Sequence, residues 1–418
     1  MSNERPDLVL QGICLALMLC VGTHLLTAQT YRVLHNFRGY DGSYPQAGLT
    51  IDSAGNLYGT TSAGGVGNCN GIGVCGTVFK LTRVGSTWFF QRIHTFAGPP
   101  GDGAEPAAKL SIGPDGSLYG TTSLGGARGC LGYGCGTVFK FTPPAPPSGN
   151  WAEQILHSFQ GPPQDGELPW GDLTLKQDGS IYGTTQLGGR NGGSCTGSSC
   201  GTVYKLAVAD DRWVESVLYQ FGLPEAGPYE SGVIFDQNGK LYGTSGLGAF
   251  SNGTVYELES TGITWSQVVL HTFTGGSDGA FPAGTLLRDG SGNLYGGAVQ
   301  AGPDGHGVVY ELTPSLGGFS FSVIYAFTEC CGPGDTLSMD SAGSLYGTNE
   351  GGAYRRGQVF KLILSNGNWT FTDLYDFTGG SDGGYPEGNV TIDANGNLFG
   401  TTAEGGAYNV GVIWEITP

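Results

Sequence analysis

Apolar residues in this chain fall in short runs separated by turns rich in glycine, asparagine and aspartate. One run, an aliphatic residue followed by an aromatic residue and a glycine, recurs seven times. The copies are Leu57–Gly59, Leu118–Gly120, Ile181–Gly183, Leu241–Gly243, Leu294–Gly296, Leu345–Gly347 and Leu398–Gly400. They are about 50 to 63 residues apart, which is the period expected of propeller blades.

Each full repeat contains four strand-like runs. In the first repeat they are Gly48–Asp52, Asn56–Thr61, Gly76–Leu81 and Trp88–Phe96. Short turns of the form Asp-x-x-Gly join the first two runs, which is a hairpin signal. No long helical pattern follows the first thirty residues. The sequence therefore predicts an all-β, seven-bladed β-propeller with four-stranded blades.

In the fourth run an aromatic residue is followed eight positions later by phenylalanine. The pairs are Trp88/Phe96, Trp151/Phe159, Trp213/Phe221, Trp265/Phe273, Phe319/Phe327 and Trp369/Phe377. Eight is an even number, so in a regular strand both rings would project to the same face. We expect them to act together as wedges between neighbouring blades.

The repeats are offset from the chain ends. The first run after the leading segment, Tyr31–Phe37, resembles a fourth run, and the last repeat stops after its third run, Val412–Ile416. If these two segments pair, residues 29–418 form one domain of seven complete blades. Such closure would protect an otherwise exposed strand edge.

The first 28 residues have the pattern of a signal peptide. Ile13–Leu26 is an apolar run of a length too short to span a bilayer, and Thr27-Ala28 is a small-residue cleavage point. We therefore expect an exported protein, secreted or periplasmic, with no membrane span after the segment is removed.

Eight cysteines remain outside the leading segment. Three close pairs occupy the same place in three successive repeats, which makes local disulfides the simplest hypothesis. These pairs are Cys69–Cys75, Cys130–Cys135 and Cys195–Cys200. Zinc is the competing interpretation, but no nearby histidine supports it. Cys330 and Cys331 are adjacent; a vicinal disulfide would be strained, so both a vicinal pair and free thiols stay open.

The formal net charge of −17 argues against nucleic acid as a partner, because such binding needs a basic stripe. We expect a monomer whose ligand is a glycan or a protein.

Recurrent aspartates in the fourth-to-first loops are the main candidates for a binding site: Asp41, Asp102, Asp165, Asp278 and Asp382. One interpretation is that each carboxylate caps its own turn. The other is a ring of carboxylates near the channel mouth that binds calcium or sugar hydroxyls, with stacking surfaces nearby. The stacking candidates are Tyr44, Trp170, Phe281 and Tyr385. The residues predict no catalytic constellation, no metal-ligand set and no cofactor other than calcium.

Histidines recur at one strand position, where His35, His94, His157 and His271 alternate with tyrosines. This interchange favours a packed, hydrogen-bonding ring over a catalytic group.

The ordered motifs resemble one bacterial family. Leu270–Pro282 and Asn56–Thr61 are good examples of the set, which covers about residues 31–417. They are similar to the choice-of-anchor tandem repeat GloVer-containing proteins. The resemblance implies an exported protein and no established activity. We therefore expect a binding or scaffold module at the cell envelope or outside the cell. The alternative is a propeller-type extracellular hydrolase or lyase acting on glycans or lactones.

Overall fold

The computed structural model describes residues 29–67, 69, 75–145, 149–163, 165–189, 201–222, 227–228, 230–246 and 252–418. The predicted signal peptide lies outside these residues. The described chain forms seven four-stranded antiparallel sheets arranged as a seven-bladed β-propeller, so the predicted fold is confirmed. Among the described residues, no helix is both long and apolar enough to cross a membrane.

The blades are numbered along the chain, and the strands of each blade are given from the propeller axis outward. Blade 1 consists of Thr50–Ile51, Leu57–Thr61, Thr77–Val84 and Thr87–Thr95. Blade 2 consists of Ser111–Ile112, Leu118–Thr122, Thr137–Thr142 and Ala152–Ser158. Blade 3 consists of Thr174–Leu175, Ile181–Thr185, Thr202–Ala209 and Arg212–Gln220. Blade 4 consists of Ile234–Phe235, Leu241–Ser245, Thr254–Ser260 and Trp265–Thr272. Blade 5 consists of Ala280–Arg288, Leu294–Gln300, Val308–Ser315 and Gly318–Ala326. Blade 6 consists of Ser338–Met339, Leu345–Asn349, Gln358–Ser365 and Asn368–Asp376. Blade 7 consists of Thr391–Ile392, Leu398–Thr402, Val412–Thr417 and Thr30–Asn36.

The recurrent glycine of the second strand makes room for a ring on the third strand. A Cβ atom on Gly59 would lie 2.5 Å from the Phe79 ring, and one on Gly400 would lie 2.2 Å from the Trp414 ring. Both distances are far inside van der Waals contact, so any larger residue would displace the ring. The glycine is therefore a packing requirement of each blade, which explains why the motif repeats.

Every outer strand contains a β-bulge, and the bulge overturns one prediction. In blade 1, Val78 pairs with His94 and Phe79 pairs with Arg92, which leaves Ile93 as an extra residue. An extra residue reverses the alternation of side chains between the two faces. The prediction that the two rings of each outer strand share a face is therefore wrong. Trp88 packs in the interface between blades 7 and 1, whereas Phe96 packs in the interface between blades 1 and 2.

The ring closes within blade 7, as the offset of the repeats predicts. Thr30–Asn36 pairs antiparallel with Val412–Thr417, from Thr30 opposite Thr417 to Asn36 opposite Val412. The Arg32 guanidinium forms an ion pair with the buried Glu415 carboxylate across this seam. The first described strand thereby completes the last blade.

A belt of hydroxyl groups links the inner strands around the axis. At the first position of the inner strand, a hydroxyl donates a hydrogen bond to a carbonyl oxygen of the next blade. These bonds run from Thr50 to Leu110, Ser111 to Leu173, Thr174 to Val233, Ser338 to Val390, and Thr391 to Leu49. The last bond joins blade 7 to blade 1, so the belt crosses the closure as well.

The fourth-to-first loops and the second-to-third loops meet on one face of the propeller, here called the loop face. Short ladders join them: Gly103–Ala104 pairs with Leu124–Gly125, and Gly166–Glu167 pairs with Leu187–Gly188. A 3₁₀ helix, Cys130–Gly132, lies in the second of the long loops. The described residues among the predicted site residues lie at this face, most of them in its loops and Phe281 near the start of the strand Ala280–Arg288.

Candidate functional site

A cavity opens at the axis of the loop face. After each fourth-to-first loop the chain runs toward the axis before it enters the inner strand. Side chains from six of the seven blades line the cavity, which places it on the axis: Gln46, Ala107, Lys109, Trp170, Asp172, Glu230, Asp335 and Glu387 contribute. Its volume is about 70 Å³. Beside it lies a wider depression of about 300 Å³, which shares Glu230 and Glu387 and adds Asn349 and Glu350.

Lys109, Asp172 and Asp335 form one charged group in the wall of the axial cavity. Lys109 and Asp172 are at the same position of successive repeats, and the Lys109 backbone N–H donates to Asp172 Oδ1 at 3.0 Å. Asp335 from blade 6 completes the group. Each keeps some accessible surface because it lines the cavity, but protein surrounds it on the other sides.

Burial dominates the protonation of this group. Burial lowers the pKa of Lys109, against the opposing effect of Asp172 and Asp335. Burial raises the pKa of Asp172, against the opposing effect of Lys109. Burial and the nearby Asp172 carboxylate raise the pKa of Asp335 to about 7. A carboxyl with this pKa can hold or release a proton near neutral pH.

Polar and aromatic groups surround the cavity mouth. Gln46 Nε2 donates to Glu387 Oε2 at 2.7 Å, and burial raises the pKa of Glu387. The indole N–H of Trp170 is buried and has no acceptor among the described residues. The mouth therefore combines carboxylates, an amide and an indole, which are groups that bind polyhydroxylated ligands.

The five predicted aspartates do not line this cavity. Each accepts a hydrogen bond from a backbone N–H of its own loop: Arg38 to Asp41, Ala97 to Asp102, Gln160 to Asp165, Thr274 to Asp278 and Thr378 to Asp382. Each also contacts the ring at the recurrent histidine position. This geometry matches the turn-capping interpretation, and the carboxylates are distributed among the blade interfaces. The five carboxylates do not meet at a common site, and a calcium-binding ring formed by them stays a prediction.

Of the four predicted aromatic residues, Trp170 lies at the axial cavity. Tyr44, Phe281 and Tyr385 each precede a proline and have a φ between 54° and 60°. The Tyr385 hydroxyl accepts a hydrogen bond from Arg356 Nη1 at 2.7 Å. These three rings belong to the loop face outside the axial cavity, and their role in binding stays a prediction.

The recurrent histidines face aspartates across the blade interfaces. His35 Nε2 is 3.1 Å from Asp41 Oδ2, and His271 Nε2 is 3.1 Å from Asp278 Oδ2. The β-bulge brings about this geometry, because it turns the histidine toward the next blade. At four interfaces a ring of the next blade stacks on the histidine or tyrosine, and we call these the stacked grooves. Their ring pairs are His35/Phe90, His271/Phe321, Tyr325/Phe371 and Tyr375/Tyr31.

Two other interfaces carry a glutamate in place of the stacking ring, and we call these the acidic grooves. The groove between blades 1 and 2 contains His94, Asp102 and Glu153. The groove between blades 2 and 3 contains His157, Asp165 and Glu215. In each groove the three side chains offer ligand atoms within 4.8 Å of one another. The sequence-based reasoning missed both glutamates, although each is visible as an acid two residues after the leading aromatic of an outer strand.

The described cysteines lie where the repeat pattern predicts. Cys69 and Cys75 have Cα atoms 5.2 Å apart, and Cys130 and Cys135 have Cα atoms 5.3 Å apart; both pairs are joined as disulfides. The predicted pair Cys195–Cys200 lies outside the described residues.

The other described cysteines are the adjacent pair, Cys330 and Cys331. The Sγ atoms of Cys330 and Cys331 are 2.6 Å apart, and no disulfide joins them. Burial and the neighbouring thiol raise the pKa of Cys331 to about 12, which keeps it protonated at neutral pH. A vicinal disulfide stays a prediction.

The fold and its repeats define a tandem-repeat β-propeller. The chain belongs to the family described as the Gloeobacter/Verrucomicrobia repeat, whose model matches residues 23–196, 73–298, 193–370 and 248–418. This match confirms the resemblance stated from the motifs. No curated protein matches the chain.

Several solved structures are similar to this chain at low identity. Polysaccharide lyase Uly1 is 10% identical, with a TM-score of 0.50 and 94% of each chain covered. A gluconolactonase from Xanthomonas campestris is 12% identical, with a TM-score of 0.40, covering 72% of this chain and 82% of its own. A protein from Lactobacillus plantarum is 14% identical, with a TM-score of 0.48, covering 78% and 83%. At these identities the likeness concerns the fold alone.

Proposed function

We propose that this propeller is an exported binding module that takes a carbohydrate at the axial mouth of its loop face. The observation that carries the proposal is the convergence of Trp170, Gln46 and Glu387 at this mouth. An indole offers a flat apolar surface for a sugar ring, and the amide and carboxylate suit its hydroxyl groups. The sequence-based alternative ligand, a protein, is an outcome of the test.

The volumes of the axial cavity and of the adjoining depression indicate where such a ligand binds. The axial cavity, about 70 Å³, is smaller than the roughly 300 Å³ or more of a typical ligand pocket. The adjoining depression, about 300 Å³, reaches that size. We therefore place the sugar ring over the axial mouth, against Trp170, with its outer substituents extending into the adjoining depression. Binding in such an open site buries only part of the ligand, so we expect modest affinity.

Binding to a glycan array, followed by calorimetry with the best oligosaccharide, tests the proposal. Trp170→Ala and Glu387→Ala are each expected to weaken binding by tenfold or more. Phe89→Ala is the matched control, because Phe89 is an aromatic residue of the outer strand of blade 1 with 56% of its surface exposed. Unchanged binding in both mouth variants would overturn this location. Capture of a protein without any glycan binding would favour the protein ligand.

A second candidate function is a hydrolase or lyase acting on glycans or lactones. The observation that favours it is Asp335, whose pKa of about 7 suits proton transfer, beside Lys109 and Asp172. Release of product by the purified protein, lost in Asp335→Asn while ligand binding persists, would support this activity. Binding without turnover would support the binding module.

Export is part of the proposal. Two disulfides in the loop face favour an oxidising compartment, and the leading apolar segment favours secretion or the periplasm. Fractionation of the native host with an antibody tests this location; a product found only in the cytoplasm would contradict it.

A further inference from the structure

Six of the seven blade interfaces have one of two kinds of filling, and at the seventh, between blades 3 and 4, Gln267 faces Tyr219. In the stacked grooves, the ring on the outer strand covers the histidine or tyrosine of the preceding blade; the ring centroids of His35 and Phe90 are 3.9 Å apart. In the acidic grooves, Glu153 and Glu215 occupy the same strand position as Phe90. Each acidic groove thus replaces an apolar ring by a potential metal ligand.

In the acidic grooves the hydrogen-bonded histidine and aspartate have a second carboxylate beside them. His94 Nε2 is 3.3 Å from Asp102 Oδ2 and 3.4 Å from Glu153 Oε2. His157 Nε2 is 3.3 Å from Asp165 Oδ2. A tetrahedral zinc site with bonds of about 2.0–2.1 Å has ligand atoms separated by roughly 3.3–3.4 Å. The distances from His94 to both carboxylates, and from His157 to Asp165, therefore match the spacing of ligands on one ion, and the remaining ligand atoms lie within 4.8 Å of one another.

The two carboxylates of each acidic groove need a compensating positive charge or a proton. Asp102 and Glu153 share a groove in which each side chain is about one-fifth exposed. Like charges brought together with partial loss of hydration repel each other strongly. Glu153 Oε1 and Glu215 Oε1 are also buried without a hydrogen-bond partner among the described residues. A divalent cation would satisfy the charge and these oxygen atoms together.

The aspartate of each acidic groove is already held in place by the backbone. Asp102 accepts hydrogen bonds from the N–H groups of Ala97 and Gly103, at 2.7 and 2.6 Å. Asp165 accepts hydrogen bonds from the N–H groups of Gln160 and Gly166, both at 2.7 Å. Such outer contacts orient a ligand before the metal arrives.

From these observations we propose that each acidic groove is a site for one divalent transition-metal ion, of the zinc class. The ligands are His94 Nε2, Asp102 Oδ2 and Glu153 in one groove, and His157 Nε2, Asp165 Oδ2 and Glu215 in the other. A nitrogen ligand with two carboxylates suits zinc better than calcium, which prefers six to eight oxygen atoms. Three protein ligands leave a position open to water. The ion would join an outer strand, an interblade loop and the next outer strand, and so fasten blades 1, 2 and 3 together.

Metal counting on tag-free protein tests this proposal. The protein is stripped with a chelator, exchanged into zinc-containing buffer and desalted; bound zinc is then measured by mass spectrometry and its affinity by calorimetry. We expect two ions per chain. Glu153→Gln and Glu215→Gln should each remove one ion or weaken that site at least tenfold, and the double variant should lose both. Glutamine is a compatible replacement, because Gln267 occupies the equivalent position in blade 4.

Two further variants separate the grooves from other acidic groups. Glu387→Gln, at the axial mouth, should leave the count at two. Phe321→Glu places a carboxylate beside His271 and Asp278 in a stacked groove, and this variant, when folded, should bind a third ion. The proposal is overturned if the unaltered protein retains no zinc, or if the double glutamine variant retains as much as the unaltered protein. Retention of calcium with no zinc would also overturn it.

Discussion

The acidic grooves and the two stacked grooves that contain a histidine are built on one backbone and differ in one side chain. Both contain a bulged outer strand, an aspartate held by its own loop and a histidine facing that aspartate. Where the next blade supplies Phe90 or Phe321, the histidine is packed against a ring. Where it supplies Glu153 or Glu215, the histidine joins two carboxylates. A repeat protein can therefore turn a structural position into a candidate ligand site by a single substitution.

Deletion of residues 29–38 should have the largest effect, because it removes the closing strand together with one ring from each of two stacked grooves, Tyr31 and His35. Tyr31 stacks on Tyr375 with ring centroids 4.0 Å apart, and its strand pairs with Val412–Thr417. The exposed strand edge would then favour aggregation. We expect loss of a cooperative thermal transition, measured by calorimetry and circular dichroism. Normal melting of the truncated protein would contradict ring closure by this strand.

Truncation of the side chain that distinguishes the grooves should lower stability more in a stacked groove than in an acidic groove. Phe90→Ala removes a partly buried ring from a stacked groove and should lower the free energy of unfolding by about 2 kcal/mol. Glu153→Ala should change it by less than about 1 kcal/mol in metal-free protein, because lost packing is offset by relief of repulsion at Asp102. Denaturant unfolding with a chelator present measures both. Equal losses would show that the grooves do not differ energetically.

The pH dependence of stability should also distinguish the grooves. Burial raises the pKa of Glu153 and of Glu215 to about 7 in the folded protein, above the usual value of about 4.3 for an unfolded chain. The native state then binds more protons than the unfolded state between about pH 4.5 and 7, so stability falls as pH rises through this window. We expect a decrease on the order of 1 kcal/mol per groove in metal-free protein.

The double variant Glu153→Gln/Glu215→Gln is the control for this titration. It should have a flatter profile over the same window, with the remaining slope owed in part to Asp335, whose pKa is also raised. Identical slopes for the variant and the unaltered protein would show that the glutamates do not titrate as described.

The repeat pattern was sufficient to predict the ring, its blade number and its closure. The reason is physical: the residue at this position of each second strand must leave room for a ring of the third strand, so every repeat has a glycine there. The predicted strand runs agree with the observed strands to within a few residues, as Asn56–Thr61 and Leu57–Thr61 illustrate.

The bulge could not be predicted from the spacing of aromatic residues. Trp88 and Phe96 are separated by an even number, and nothing in the sequence marks Ile93 as the unpaired residue. The error matters for the site, because it is the bulge that turns His94 toward Glu153 of the next blade. The sequence showed both residues, but their encounter depends on this local change of register.

The axial cavity was only partly predictable. Trp170 stood out as an aromatic residue in a loop, whereas Lys109 and Asp172 were overlooked because they differ between repeats. A charged residue directly before the buried leucine of a repeat, such as Leu110 or Leu173, is a signal that could have identified them. Asp335 comes close to Lys109 and Asp172 only in the closed propeller, because closure places blade 6 opposite blades 2 and 3.

The seam in blade 7 also has a mechanical consequence. Because Thr30 lies opposite Thr417, the described chain leaves the sheet at the same corner from both strands. A force applied between these two points would peel the strands apart one hydrogen bond at a time, rather than shear all of them together. The propeller would therefore yield to tension applied between Thr30 and Thr417 more readily than its continuous ring suggests.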